Sequence, residues 1–358
     1  LPRLFCHDYF ATVIFAAILK KRKKVPRTKS AGATSCPLRL PQRLQLSQLK
    51  QLQQSSRHRI IVILTSLLCL YLPSATQSAP LQSQQRQQPP HGALYKIKQA
   101  GHTLYLFGTM HVGRADFFPL EPKVMRALNH ASVLALELDP SRTDAIQSAL
   151  QRYGITKESD GRVPAALKTR RDALLQHYGI GSGAMAAMQP WLQATTLVVA
   201  EFGANGYQPR YSVDDYLLAQ FKKTGKPVRE LESAESQLAL LGGLSHLDQI
   251  QFLDDTITEL EDPAGAQQAI AMANLWRDAD SPGLAALLKK LEEDGTFSSR
   301  FTLDVLLKQR NPHLADGLAN LLKENRNGFA AIGVLHLVGP DNVPALLQQR
   351  GYRVEQIY

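Results

Sequence analysis

Two stretches of the 358-residue chain end an apolar run on Gly-x-x-His: LYLFGTMH at Leu104–His111 and FAAIGVLH at Phe329–His336. Both read as buried strands, apolar and without a helical period. Gly108 and Gly333 let the backbone turn or come close to another group. His111 and His336 then arrive just past the strand ends, where open α/β sheets place their ligands. Two such histidines, far apart in the chain, can face one another across one site. Taken singly, a His after a strand is more often a structural or surface residue; it is the duplication that puts a shared site on an equal footing. Glu137 adds a carboxylate inside the apolar run VLALEL (Val133–Leu138). Burying it is costly unless it is paired or bound to a metal. The alternative is a one-sided strand with this glutamate pointing outward.

The elements that must position these residues read as follows. Ala93–Gln99 and Thr103–Phe107 flank Ala100-Gly101-His102 as a hairpin, and Pro119–His130 is a short helix with Pro122 near its start. Residues 141–205 have helical spacing, with Trp191, Leu192, Leu197 and Val198 as packing residues and Met185 and Met188 as core filler. Ser212–Thr224 is a helix stopped by Gly225, and Pro227–Leu231 is a strand ending at Glu232. Helices at 234–243, 246–260, 263–279, 282–294, 299–309 and 312–326 follow, separated by Gly, Pro and Asn. Their acidic face (Asp254, Asp255, Glu259, Glu261, Asp262) reads as solvated surface. Arg310-Asn311, at a helix end before Pro312, is the one unusual pair in this stretch. The chain closes as strand Phe329–Leu335, helix Asn342–Gln349 and strand Tyr352–Ile357. β-α-β order at both ends, with helices between, predicts an α/β fold: a central, largely parallel sheet with flanking helices and a large helical insertion.

Charge divides the chain into unlike parts. Residues 1–79 carry thirteen Lys and Arg against one acid, Asp8, whereas residues 80–358 carry 28 against 30. The net charge of +10 therefore belongs to the leader, and the folded part shows no basic-aromatic pattern for nucleic acid. All three cysteines (Cys6, Cys36, Cys69) also lie in the leader, which excludes disulfide and thiolate-metal chemistry from the folded part. Residues 1–56 read as a basic leader outside the working protein, the alternative being a basic cytoplasmic tail. Residues 57–79 have the anatomy of a signal peptide: Arg57-His58-Arg59, an apolar run Ile60–Leu72, then small residues near Ala75–Ala79. Residues 80–91 are a polar, Pro-rich linker, and 92–358 form the folded domain. The expectation is export to the periplasm or extracellular space, with membrane attachment only if the signal segment stays uncleaved as an anchor.

LYLFGTMHVG, VLALELD, SVDDYLLAQFKKTGKPVRELES, LLKQRN and FAAIGVLHLVGPDNVPALLQQRGYRVEQI together resemble the TraB/PrgY/GumN family, whose distant relatives include the Tiki-type metalloproteases. The resemblance runs in order over 92–358 and implies a fold like that of the erythromycin-esterase and ChaN proteins. It singles out Gly108, His111, Glu137, Gly333 and His336, and more weakly Asp214, Glu232 and Arg310. On that reading His111, His336 and Glu137 form an N,N,O set for a divalent transition metal such as Mn, Co or Zn, with open positions for water. Glu232 serves as general base or second carboxylate ligand, Arg310 stabilises an oxyanion or grips a substrate carboxylate, and Asp214 orients a ligand histidine. No H-E-x-x-H helix is present, so this is not an ordinary zincin. The implied function is an exported metal-dependent hydrolase of a peptide, amide or small-molecule substrate. The alternative is a non-catalytic module that sequesters a peptide signal or haem. Both histidines, lying past strand ends, are expected to add little to packing.

Overall fold

The computed structural model describes residues 91–156 and 162–358. The expected leader, signal segment and nearly all of the expected linker lie outside the described residues. Strands β1 (Leu94–Gln99) and β2 (His102–Thr109) form the hairpin, turning on Ala100-Gly101 with φ of 49° and 84°. Positive φ at both turn residues suits the right-handed twist of the paired strands. Helix α1 (Pro122–His130) leads into β3 (Val133–Leu136). Then come α2 (Thr143–Tyr153), α3 (Ala165–His177), α4 (Pro190–Ala204), α5 (Val213–Lys222) and β4 (Val228–Glu230).

The helical insertion comprises α6 (Ala234–Gly242), α7 (His246–Glu261), α8 (Pro263–Arg277), α9 (Ser281–Asp294) and α10 (Phe297–Phe301). A π-helix, Thr302–Lys308, joins α10 to α11 (Asn311–Glu324). The chain ends in β5 (Asn327–Gly333), a 3-10 turn at Val334–Leu337, α12 (Val343–Gln349) and β6 (Arg353–Gln356). Among the described residues no helix is long and apolar enough to cross a membrane.

The six strands form one sheet in the order β4-β3-β5-β2-β1-β6. β4, β3, β5 and β2 run parallel, and β1 is antiparallel to both its neighbours. β3 is buried throughout and β5 from its second residue on, as expected of parallel strands covered on both faces. Register then decides what meets at the carboxyl ends. Thr109 lies opposite Gly333, and Leu136 lies opposite both Ala331 and Glu230. His111, Glu137, Glu232 and His336 each follow one of these four strand ends by three residues or fewer. Because β5 is inserted between β2 and β3, the β5 end stands between those that carry His111 and Glu137.

Four expectations change. The strand leading to His336 stops at Gly333 rather than Leu335, because the Gly333 N–H leaves the ladder to bond the Glu137 side chain. His336 therefore rides on the 3-10 turn and is completely buried, so its ring is core and not a surface cap. The 299–309 helix is split into α10 and the π-helix, whose wide turn shows in the Gln309 N–H bonding the Asp304 carbonyl five residues back. Asp255 and Glu259 are buried instead of solvated. Asp255 accepts hydrogen bonds from the Ser298 N–H and hydroxyl at 2.9 and 3.1 Å, which ties α7 to the start of α10.

Two glycines allow the close approaches near the strand ends. A Cβ at Gly108 would stand 2.9–3.2 Å from Leu337 and Val334, so the first Gly-x-x-His motif makes room for the turn that carries the second. A Cβ at Gly113 would stand 2.2 Å from the Tyr211 carbonyl oxygen. That backbone cannot retreat freely, because Gly113 and Gln208 exchange two backbone hydrogen bonds and the Val213 N–H bonds the Met110 carbonyl. Gly113→Ala should cost about 2 kcal/mol or more, and Gly108→Ala less, since side-chain ends can yield where a carbonyl cannot. Urea unfolding of the two variants checks the ranking; a less stable Gly108→Ala would contradict it.

Candidate functional site

Glu137, the residue after β3, is 3% exposed and both its oxygens are occupied. Oε1 accepts the Gly333 N–H at 2.5 Å. Oε2 accepts from Arg310 Nη2 at 2.7 Å and Gln237 Nε2 at 3.2 Å. The same guanidinium grips Glu232, Nε to Oε1 at 2.9 Å and Nη2 to Oε2 at 2.5 Å, and Gln237 Nε2 also reaches Glu232 Oε2 at 2.7 Å. Two carboxylates from neighbouring strand ends thus share one buried arginine. The π-helix delivers it, and Arg310 Nη1 bonds back to the Leu306 carbonyl within that segment.

Burial alone would raise the Glu137 pKa. The Arg310 charge, with His336, His111 and the Gly333 N–H, overcomes it and holds the carboxyl at about 2. Burial would lower the Arg310 pKa, yet the two carboxylates keep it above its ordinary value.

His336 is held from behind. Its Nδ1 lies 2.6 Å from Asn311 Oδ1, and Asn311 Nδ2 donates to the Asp341 carbonyl at 2.7 Å. A carbonyl only accepts, so the Asn311 amide turns its oxygen to the ring, an acceptor that favours the ring proton on Nδ1. The lone pair is then on Nε2, which has no hydrogen-bond partner among the described residues and stands 3.7 Å from Glu137 Oε1. Burial, then the Arg310 charge, push the His336 pKa down to about 3 despite the nearby Glu137 carboxylate. With the ring proton on Nδ1, two buried, electron-rich atoms face each other.

His111 approaches from the other side of β5. Its Nδ1 donates to Asp214 Oδ2 at 2.8 Å, and Thr109 Oγ1 donates to Asp214 Oδ1 at 2.9 Å. Solvent reaches the cluster mainly at two side chains, His111 at 16% and Glu232 at 12% exposure.

The described domain coincides with a family match. The model for the TraB/PrgY/gumN family covers residues 93–356. The chain belongs to the TraB/PrgY/gumN family. It is 30% identical over 244 residues to the uncharacterized protein YbaP of Escherichia coli (strain K12), covering 68% of this chain and 87% of that protein. YbaP of Shigella flexneri matches to the same extent. An uncharacterized protein of Treponema pallidum (strain Nichols) is 20% identical over 270 residues, 72% of this chain and 80% of the other. No solved structure matches the chain significantly.

The expected site residues gather unevenly. Glu137, Glu232, Arg310, His336 and the Gly333 N–H form one hydrogen-bonded and ion-paired cluster, and His111 with Asp214 forms a second beside it. Arg310 is committed to the two carboxylates, where the sequence reading has it reaching for an oxyanion or substrate. His336 Nε2 and Glu137 Oε1 suit a divalent ion in kind and spacing, since 3.7 Å lies within reach of two bonds of about 2 Å. Two carboxylates against one guanidinium also favour a cation there. The expected trio with His111 is not drawn to one point: among the described residues no three His, Cys, Asp or Glu side chains are grouped to hold an ion.

Gln237, Asn311, Thr109 and Trp276 belong to the site's framework and were not singled out as site residues from sequence. Trp276 is fully buried on α8 and donates its indole N–H to the Gly108 carbonyl at 2.8 Å. Of the four, only Asn311 carried a signal, through the oddity of Arg310-Asn311 before Pro312.

The depressed pKa values set an acid limit on this family member. His336, ordinarily near 6.5 and here about 3, stays neutral in the fold, so its contribution is present above pH 6.5 and is lost as pH falls toward 3. Glu137, ordinarily near 4.5 and here about 2, extends the same loss between those values. With chelator present, stability should fall from pH 6.5 to 4 with a slope on the order of 1 kcal/mol per pH unit from His336. His336→Gln should flatten that window. Parallel slopes for parent and variant in urea titrations would contradict it.

Proposed function

We propose that this chain is an exported hydrolase of peptide or amide bonds, working with a divalent transition metal whose protein ligands centre on His336 and Glu137. The observation that carries the reading is the buried approach, at 3.7 Å, of His336 Nε2, which has no hydrogen-bond partner among the described residues, to Glu137 Oε1. An electrophile belongs in that position. When bound there, the ion would polarise a carbonyl and acidify a water.

The chain's own residues supply the remainder. Neutral His336 donates from Nε2, and Glu137 is kept ionised by Arg310 and the Gly333 N–H. In this reading His111, which is not grouped with that pair in the structure, would be drawn in as the third donor when the ion binds. Asp214 holds its Nδ1–H, the arrangement that leaves Nε2 as the ligating atom of a metal-bound imidazole. Glu232, the more exposed of the paired carboxylates, takes the proton from the attacking water. Arg310 fixes the spacing of the two carboxylates and screens their repulsion. Burial of Glu137, Arg310 and His336 keeps bulk water from that side of the site, with His111 and Glu232 at its solvent edge. The basic and then apolar leader is what supports export.

Metal analysis before and after chelation, run alongside cleavage of a peptide library, tests this. The parent protein should carry about one ion per chain, lose it and any cleavage on chelation, and regain both on adding Mn, Co or Zn. Glu137→Gln and His336→Gln, checked for folding by circular dichroism, should lose both properties. Cleavage by the fully chelated parent would overturn the metal role. Bound metal with no peptide ever cut would favour the module that sequesters a peptide or haem.

A further inference from the structure

We infer that Asn311 is a positioning residue of this site: its amide, aimed by the Asp341 carbonyl, keeps the His336 ring proton at Nδ1 and the Nε2 lone pair toward Glu137. The inference deepens the proposed site. Its consequence for metal rests on that reading, but its claim about the ring proton does not.

Two acceptors compete for the one proton of a neutral imidazole at position 336. Asn311 Oδ1 stands 2.6 Å from Nδ1, and Glu137 Oε1 stands 3.7 Å from Nε2. If Glu137 took the proton, Nε2 would carry a hydrogen aimed at the carboxylate and could ligate nothing. Asn311 prevents this only while its oxygen faces the ring. An amide can flip and present its NH2 instead, and distance alone does not choose between the two orientations. The Asp341 carbonyl does, because it accepts Asn311 Nδ2 at 2.7 Å and would repel an oxygen placed there.

That carbonyl belongs to a braced turn. Asn342 donates to the Gly339 carbonyl at 2.6 Å and caps α12 by accepting the Ala345 N–H at 2.7 Å, while Gly339 takes the positive φ of 85°. The chain of control runs from the turn before α12, through the first residue of α11, to the histidine. Asn311 is 3% and His336 0% exposed, so no solvent competes for either bond. Asn311 needs to touch no substrate to do this.

The test is the ring tautomer of His336 in the full chain at neutral pH. The protein is metal-free and labelled with 15N-histidine, and the resonance is assigned by its loss in His336→Gln. The parent should show Nδ1–H with an unprotonated Nε2. Asn311→Leu, close in volume but without an acceptor, should move the proton to Nε2, and Asn311→Asp, which keeps an acceptor toward the ring while losing the bond to the Asp341 carbonyl, should return it to Nδ1 at some cost in stability. Zinc affinity by calorimetry should fall about 10- to 100-fold in Asn311→Leu and recover in Asn311→Asp, as for loss and return of a partner behind a ligand.

A proton on Nε2 in the parent overturns the inference, and so does a folded Asn311→Leu that keeps it on Nδ1. Should that variant not fold, the parent's tautomer and Asn311→Ala decide by the same criteria. A parent that shows the expected tautomers but binds no zinc upholds Asn311's role and overturns the metal reading instead.

Discussion

A carboxylate buried at the end of a parallel strand is the constraint on which this architecture turns. An unpaired charge in that position would cost several kcal/mol, enough to threaten a marginally stable domain. Glu137 is tolerable because three partners reach it from separate parts of the chain: the Gly333 N–H from β5, Arg310 from beyond the π-helix and Gln237 from α6, the same guanidinium also holding the neighbouring Glu232. Each partner alone is a modest gain. Losing one strands a buried charge, which typically costs about 3–5 kcal/mol. The helical insertion is thereby tied to the sheet by electrostatics as well as by apolar packing, since both Gln237 and Arg310 come from it.

The same arrangement explains why His336 and His111 are unlike despite their common motif. His336 follows the strand inserted between β3 and β2, so its ring is driven into the cluster and stripped of solvent. His111 lies one strand further out, keeps some exposure and is steadied by the Thr109–Asp214 pair. Gly108 and Trp276 hold the strand end between them, the one by having no side chain and the other by bonding its carbonyl. A metal reading therefore gives the histidines unequal parts: a fixed, neutral donor inside and a more accessible one at the edge.

Much of this was legible in the sequence, because strand ends and their residue types are local properties. The apolar runs before Gly108, Glu137 and Gly333 announce buried strands. Parallel pairing then delivers the residues after them to one edge, which is why Glu232 and Glu137 turned out to be neighbours. What stayed hidden depends on contacts between distant segments. Nothing near Arg310 says that its guanidinium is already spoken for by two glutamates. The π-helix that aims it has an ordinary helical composition, TLDVLLK. Asp255 and Glu259 read as surface because their burial arises from packing against elements some forty residues away or from the fold around α7 and α8. His336 looked like a strand cap because the bond that ends its strand early is made by a side chain 196 residues earlier.

The central claim is that an electrophile other than a proton belongs between His336 Nε2 and Glu137 Oε1. Anomalous diffraction from crystals grown with manganese, cobalt or zinc tests it most directly. The account predicts a single strong peak bonded to both atoms, with Arg310 still holding Glu232 and Asn311 still behind the ring. A refined structure in which no peak lies there and His336 Nε2 has closed to hydrogen-bond distance of Glu137 would contradict it.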